Sequence, residues 1–319
     1  MTRPPHPPLI RPALAAEMRA LPDRIRQPRT PPLHALPHEQ ARAVYRAGVG
    51  VMQVPMVALP RVDDLTLPGP AGPIAARLWA PSHAPGLPVL LYLHGGGFVV
   101  GGIDTCEAMC REIARQSGAA VLAIDYRLAP EHKFPAGLDD SFASLQWLVR
   151  EGATLGLDTR RVAVGGDSGG GTLAASVALM ARDAGLTLAL QLLFYPSVQT
   201  TIATHSLQHL AHDLPLSIEL MRWFNHHAHE RDVPLDWRRE PLKAPSHHGL
   251  APAWIGLAQC DALLDDGHLY AQALRTAGVP VEVREWPGVI HDFINMGRFV
   301  PEAAQAHTAA ALALGEAFA

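Results

Sequence analysis

The sequence predicts an α/β fold, with a mostly parallel central sheet flanked by helices. Short runs of continuous apolar residues recur along it, such as Val-Leu-Leu-Tyr-Leu at 89–93, as strands covered on both faces require. Between these runs stand amphipathic or Ala-rich stretches long enough to be crossover helices. Two glycine-rich segments, at 95–97 and 165–171, each follow directly on an apolar run. That is where chain leaving a buried strand has to turn.

Residues 1–58 are rich in Pro and Arg, show helical patterning at Ala13–Met18 and His38–Val49, and carry no strand signal. They read as an N-terminal helical segment, and the prolines of Met1–Pro12 predict a loose start. Two strand-like runs follow, Val62–Leu67 and Ile74–Trp79, separated by a Pro-Gly turn signal. The alternation then begins: strand at Val89–Leu93, helix at Thr105–Gln116, strand at Ala119–Ile124. The next helix, Asp139–Arg150, sets Phe142, Leu145 and Leu148 on one side. A strand at Arg161–Val164, an Ala-rich helix at Thr172–Ala184 and a strand at Leu188–Phe194 come next.

From Thr200 to His248 strand patterning stops, and Leu216, Leu220, Trp223 and Phe224 recur at helical spacing. This segment reads as a helical insertion over one end of the sheet. Strands at Ala253–Ala258 and Val281–Glu285 flank a helix at Gly267–Ala277, and a last helix begins near Ala303. The expected organisation is a helical segment at 1–58, core at 59–199, insertion at 200–248 and core again at 249–319.

With 319 residues, 48% of them hydrophobic, the chain can bury one large core. A net charge of -4 lacks the basic stripe of a nucleic-acid binder. No stretch of about 18 uninterrupted apolar residues is present, so no membrane-spanning helix is expected. The first residues also lack the apolar run of a signal peptide. Three cysteines, Cys106, Cys110 and Cys260, argue against a disulfide framework and fit a reducing compartment, so a cytoplasmic location is expected. Cys106 and Cys110 fall on one face of a helix but lack the second ligand pair of a zinc site. Four histidines of the insertion, His212, His226, His227 and His229, have no HExxH-type carboxylate partner and are not assigned to metal.

The strongest chemical signal is Gly166-Asp167-Ser168-Gly169-Gly170, which fits G-x-S-x-G between an apolar strand and a helix. A serine on so sharp a strand-to-helix turn needs small neighbours for the backbone to pass. The helix that follows aims its N-terminal N–H groups at a developing oxyanion. Gly-Asp-Ser-Gly-Gly also surrounds the nucleophile of chymotrypsin-like proteases, but there the histidine and aspartate precede the serine. No such pair stands before Ser168. A purely structural glycine turn is the remaining rival, and His94-Gly95-Gly96-Gly97-Phe98, directly after the strand at 89–93, argues against it. Three glycines there leave backbone N–H groups open to a ligand. The expected oxyanion donors are Gly96, Gly97 and Gly169, with His94 fixing the loop.

A serine hydroxyl needs a base, and the base an orienting carboxylate. His291 follows the last strand and a Pro287-Gly288 turn, at the carboxyl end of a strand, where parallel sheets bind ligands. Of Asp261, Asp265 and Asp266, Asp261 stands first after its strand. The other two lie at a helix start, where capping is the usual role. Ser168, His291 and Asp261 are therefore the expected catalytic set. The expected pocket wall is Phe98, Met52, Met56, Leu214, Trp223 and Phe224.

The chain resembles the bacterial hormone-sensitive-lipase-like (family IV) esterases. Its motifs HGGGFVVGG, DYRLAPEHKFPAGLDD, GGDSGGG, CDALLDDG and PGVIHDF carry the resemblance from about Leu67 onward. It implies an α/β-hydrolase fold with a two-part helical cap from the N-terminal segment and the insertion. It further implies a carboxylesterase acting on short- to medium-chain acyl esters of small molecules with no cofactor, and a homodimer joined at the sheet edge. The alternatives are amide or carbamate hydrolysis by the same residues, or a non-catalytic ligand receptor. The receptors of this type lack the histidine that is present here as His291. Departures from the family pattern include Gly169 for Ala, Thr172 for Asn, Ala262 for Pro and Asp292 for Gly. Asp292 places a carboxylate beside the base, and the sequence does not say whether it faces the site or solvent.

Overall fold

The computed structural model describes residues 14–24, 31–200, 204–211, 215–230 and 236–319. Met1–Pro12, His212 and Leu214 lie outside these residues. Two helices come first, α1 (Ala16–Arg24) and α2 (His38–Met52). A hairpin of β1 (Arg61–Gly69) and β2 (Gly72–Ala80) follows. Then come β3 (Leu87–Leu93), α3 (Ile103–Ser117), β4 (Ala120–Ile124), α4 (Ala136–Glu151), β5 (Leu157–Asp167) and α5 (Gly169–Asp183). After β6 (Gln191–Phe194) the chain forms α6 (His205–Leu210) and α7 (Ile218–Ala228). It closes with β7 (Ala253–Cys260), α8 (Leu264–Thr276), β8 (Val281–Ile290) and α9 (Pro301–Ala317).

The eight strands form one sheet in the order β1-β2-β4-β3-β5-β6-β7-β8. Only the β1–β2 and β2–β4 pairs are antiparallel. The order has a consequence for the site. The β3–α3–β4 crossover runs towards β2, whereas β4–α4–β5 runs the other way. Right-handed crossovers then put α3 and α4 on opposite faces, with α9 packed on α3 and α5 on α4. The direction reverses between β3 and β5, and a crevice opens at such a switch point beyond the strand ends. The glycine loop at 95–97 leaves β3 there, and Ser168 leaves β5.

Burial follows position in the sheet. Every residue of β4 and β6 is buried, as are the last five of β3, whereas the edge strands β1 and β8 alternate until the buried end of β8 at Gly288, Val289 and Ile290. The β6 ladder starts at Gln191 and is shorter than its apolar run. Leu188 and Leu190 are buried by packing ahead of it. One large hydrophobic core spans the sheet and its helices. Two small clusters lie under α2, α6 and α7, one around Leu207, Leu216 and Leu220, the other around Ala41, Val99 and Ala228. Helix α1 does not join them: Met18 is buried in the main core and the Ala15 N–H bonds to the Gly288 carbonyl at 2.9 Å. Among the described residues no helix is long and apolar enough to cross a membrane.

Candidate active site

Ser168 sits at φ 52°, ψ -119°, between the last residue of β5 and the first of α5. A non-glycine residue there is strained, and the strain is tolerated because both flanks are packed without side chains. A Cβ on Gly166 or Gly170 would strike the Leu93 carbonyl. Across the crevice, Gly96 and Gly97 have φ of 111° and 57°. A side chain on Gly97 would meet the ring of Phe224. Gly97 N lies 3.2 Å from where a Gly169 Cβ would stand, so the two loops are neighbours. Among the described residues the N–H groups of Gly96, Gly97 and Gly169 find no internal acceptor.

Side chains hold this loop in place. Asp167 Oδ1 accepts from Tyr92 Oη at 2.7 Å and from Gly95 N at 3.0 Å. Burial pushes the Asp167 pKa up to about 6 against the lowering effect of those bonds. Tyr126 Oη donates to the His94 carbonyl at 2.8 Å, and the two rings stack at 4.3 Å. His94 turns its Nδ1 to the Gly95 carbonyl at 2.8 Å. The Asp-Tyr-Arg-Leu-Ala-Pro-Glu segment braces the same region. Asp125 accepts from Ile103 N, Arg127 forks onto Asp140, and Glu131 takes both guanidinium nitrogens Nη1 and Nη2 of Arg42 at 2.7 Å.

His291 lies just beyond β8 and Asp261 just beyond β7. The imidazole Nδ1 is 2.7 Å from Asp261 Oδ2, and Nε2 is 3.0 Å from Ser168 Oγ. Asp261 is fully buried, and its other oxygen accepts from Leu263 N at 2.9 Å. Burial opposes a charged His291. The Asp261 charge and hydrogen bond, with Asp292 and Asp167, outweigh it and raise the His291 pKa. Asp292 faces the site. It adopts a left-handed conformation at φ 67°, accepts from Tyr45 Oη of α2 at 3.2 Å and from Asn295 Nδ2 at 2.6 Å, and lines the cavity. Burial first, and then the Asp167 charge, push its pKa up to about 6.

Asp265 and Asp266 do not cap α8, as sequence position suggested. Asp265 accepts from Ser206 N, in the first turn of α6. Asp266, 1% exposed, accepts from Val198 N and Gln199 Nε2. Both carboxylates reach across to chain about sixty residues away in sequence, partners that a local pattern cannot reveal.

The cavity above Ser168 holds about 310 Å³, near the small end of the roughly 300–1,000 Å³ of ligand pockets. Phe98, Met52 and Phe224 line it, with Leu216, Leu220 and Met221 from the insertion. Two expected wall residues are displaced. Met56 is 53% exposed on the segment after α2. Trp223 lies one helical step from Phe224, and its ring packs on His227 at 4.4 Å and on Phe224 at 5.4 Å, behind the lining. Tyr45, Asp292 and Arg239 line the cavity without having been anticipated. Of these, only Asp292 had a sequence signal, its place next to His291.

Residues 90–295 match the family model described as the alpha/beta hydrolase fold. The chain is 40% identical over 265 residues to esterase LipI of Mycobacterium tuberculosis, covering 80% of this chain and 81% of that one. It is 39% identical over 277 residues to carboxylesterase NlhH of the same species, covering 82% and 85%. Among solved structures, an alpha/beta hydrolase enzyme from the metagenome of Lake Arreo, Spain, superposes with a TM-score of 0.91 at 37% identity, covering 96% and 98%. The chain belongs to the α/β-hydrolase family. Within that family it is an esterase related to the hormone-sensitive-lipase-like carboxylesterases that its motifs resemble.

Proposed function

We propose that this chain is a serine carboxylesterase of short- to medium-chain acyl esters, working through an acyl-enzyme on Ser168. The carrying observation is the unbroken line of hydrogen bonds Asp261–His291–Ser168, with its serine end open to the cavity. His291 takes the Ser168 proton as Oγ attacks the ester carbonyl, and Asp261 holds the ring with Nε2 towards the serine and stabilises its cation. The N–H groups of Gly96, Gly97 and Gly169 receive the oxyanion, with the positive end of α5 behind Gly169. His291 then protonates the leaving alcohol, and water repeats the sequence on the acyl-enzyme.

Chain length follows from the walls. Each buried CH₂ contributes about 0.8 kcal/mol until a small apolar cavity is full, and further carbons clash. With para-nitrophenyl esters dissolved as monomers, kcat/KM should rise from acetyl to an optimum at about four to eight acyl carbons and then fall. A rate still climbing at about sixteen carbons, with activation at an oil interface, would mean a lipase with a moving lid. Matched anilides in the same panel separate esterase from amidase, and ester turnover should dominate.

A further inference from the structure

Arg239 is the cavity's unexplained charge. It is 4% exposed, yet it lines the cavity with its guanidinium carbon 4.7 Å from the centre of the Phe98 ring. Its Nε donates to His229 Nε2 at 2.9 Å and its Nη2 to Asn225 Oδ1 at 3.3 Å, while among the described residues the buried Nη1 has no partner. Both partners are neutral. Burial, and then the Arg239 charge itself, pull the His229 pKa down to about 3. Among the described residues no carboxylate pairs with Arg239. The acids nearby are engaged: Glu240 with Lys243 and Thr200, Asp266 with Val198 and Gln199. Burial lowers the Arg239 pKa to about 10 against the opposing charges of Glu240 and Asp266, so the side chain remains a cation at neutral pH.

A buried, unpaired guanidinium is costly, and the face of Phe98 offsets only part of that cost. Its planar fork matches a carboxylate with two parallel hydrogen bonds. Arg222, exposed on α7, brings a second positive charge to the same cavity. The carboxylates of the cavity, Asp167 and Asp292, belong to the catalytic end beside Ser168 and His291. Building on the esterase reading above, we propose that Arg239 is a specificity-determining residue, selecting esters that carry a free carboxylate away from the scissile bond. Such substrates are half-esters of dicarboxylic acids, with the charge on the acyl side, or acyloxy acids, with it on the alcohol side.

The test uses matched pairs: mono-para-nitrophenyl adipate against para-nitrophenyl hexanoate, and acetoxybutanoate against butyl acetate. The parent should favour the charged member of at least one pair, and which pair responds tells which side of the ester meets Arg239. Arg239→Gln should cut kcat/KM for that member about ten- to a hundredfold, mainly through KM. The neutral member should change less than about threefold, and Arg239→Lys should restore only part of the preference. Equal loss on both members would assign Arg239 to holding α7 in place and overturn the proposal. So would a parent with no preference in either pair, a result readable even if the variants fail to fold. Parent turnover of none of the four esters would instead remove the esterase reading itself.

Discussion

The sheet and the cap face the same cavity but are held in different ways. Ser168, Asp261 and His291 leave β5, β7 and β8, and the strands behind them belong to one continuous core. Helices α2 and α7 rest on small clusters and a few polar ties. Among these are Arg42 to Glu131, Tyr45 to Asp292, and Phe134 N to the Ala228 carbonyl at the end of α7. The difference sorts the work. Reacting groups must be held within about half an ångström, which a packed sheet provides. Walls that select a substrate tolerate more movement and more substitution. Changes at the strand ends should therefore cost rate, and changes in the cap should alter selection.

The largest effect is expected for Ser168→Ala: loss of ester turnover by about a millionfold, with the melting temperature kept. Residual turnover within about tenfold of the parent would break the contrast at its strongest point. Asp261→Asn should come next, lowering kcat by about 10⁴-fold through loss of the correct His291 tautomer. Asp265 holds Ser206 of α6 and Asp266 holds Val198 and Gln199 after β6, so Asp265→Asn and Asp266→Asn should lower kcat far less. A kcat lowest in Asp265→Asn at equal folding would move the acid.

In the cap, Phe224→Ala removes the ring above Gly97 and enlarges the cavity. The acyl-chain optimum should shift to longer esters, each added carbon recovering about 0.8 kcal/mol, with acetyl-ester kcat nearly unchanged. An unchanged profile would show that Phe224 is not a wall.

Asp292 joins the two regions. Its charge raises the His291 pKa, and on the proposed mechanism His291 must be neutral to act as base, so the charge should delay the rise of activity with pH. Asp292→Asn should move the acid limb of the kcat/KM profile to lower pH, and a limb moved to higher pH would contradict this. The smallest effect concerns Asp266. Burial raises its pKa from 3.8 to about 7, so between these values the native state binds more protons than the unfolded one. The parent's stability therefore carries a term that falls as pH rises through that window. Asp266→Asn lacks that term, and the melting-temperature gap should shift in the variant's favour from about pH 5 to about pH 8. A gap that is constant with pH would show that Asp266 ionises as readily as in the unfolded chain.

What the sequence revealed was local. The glycines around Ser168 and at 95–97 are demanded by backbone crowding within a few residues, so they mark strand ends directly. The apolar runs place the inner strands for the same reason. Contacts made across the fold left no such mark. Tyr45 meets Asp292 from 247 residues away, and Arg239 enters the cavity from a stretch with no regular pattern. Asp265 and Asp266 resemble caps until their partners Ser206, Val198 and Gln199 are seen. Trp223 and Phe224 are both apolar on one helix, and only the 100° step between them decides which reaches the cavity.

The nucleophile is tested most directly by covalent labelling. The native chain should take up one equivalent of a fluorophosphonate, located by peptide mass spectrometry on Ser168. With His291→Ala the labelling rate should fall about a thousandfold or more while the fold is kept. Label on another residue, or a rate unchanged without the histidine, would contradict a Ser168 activated by His291.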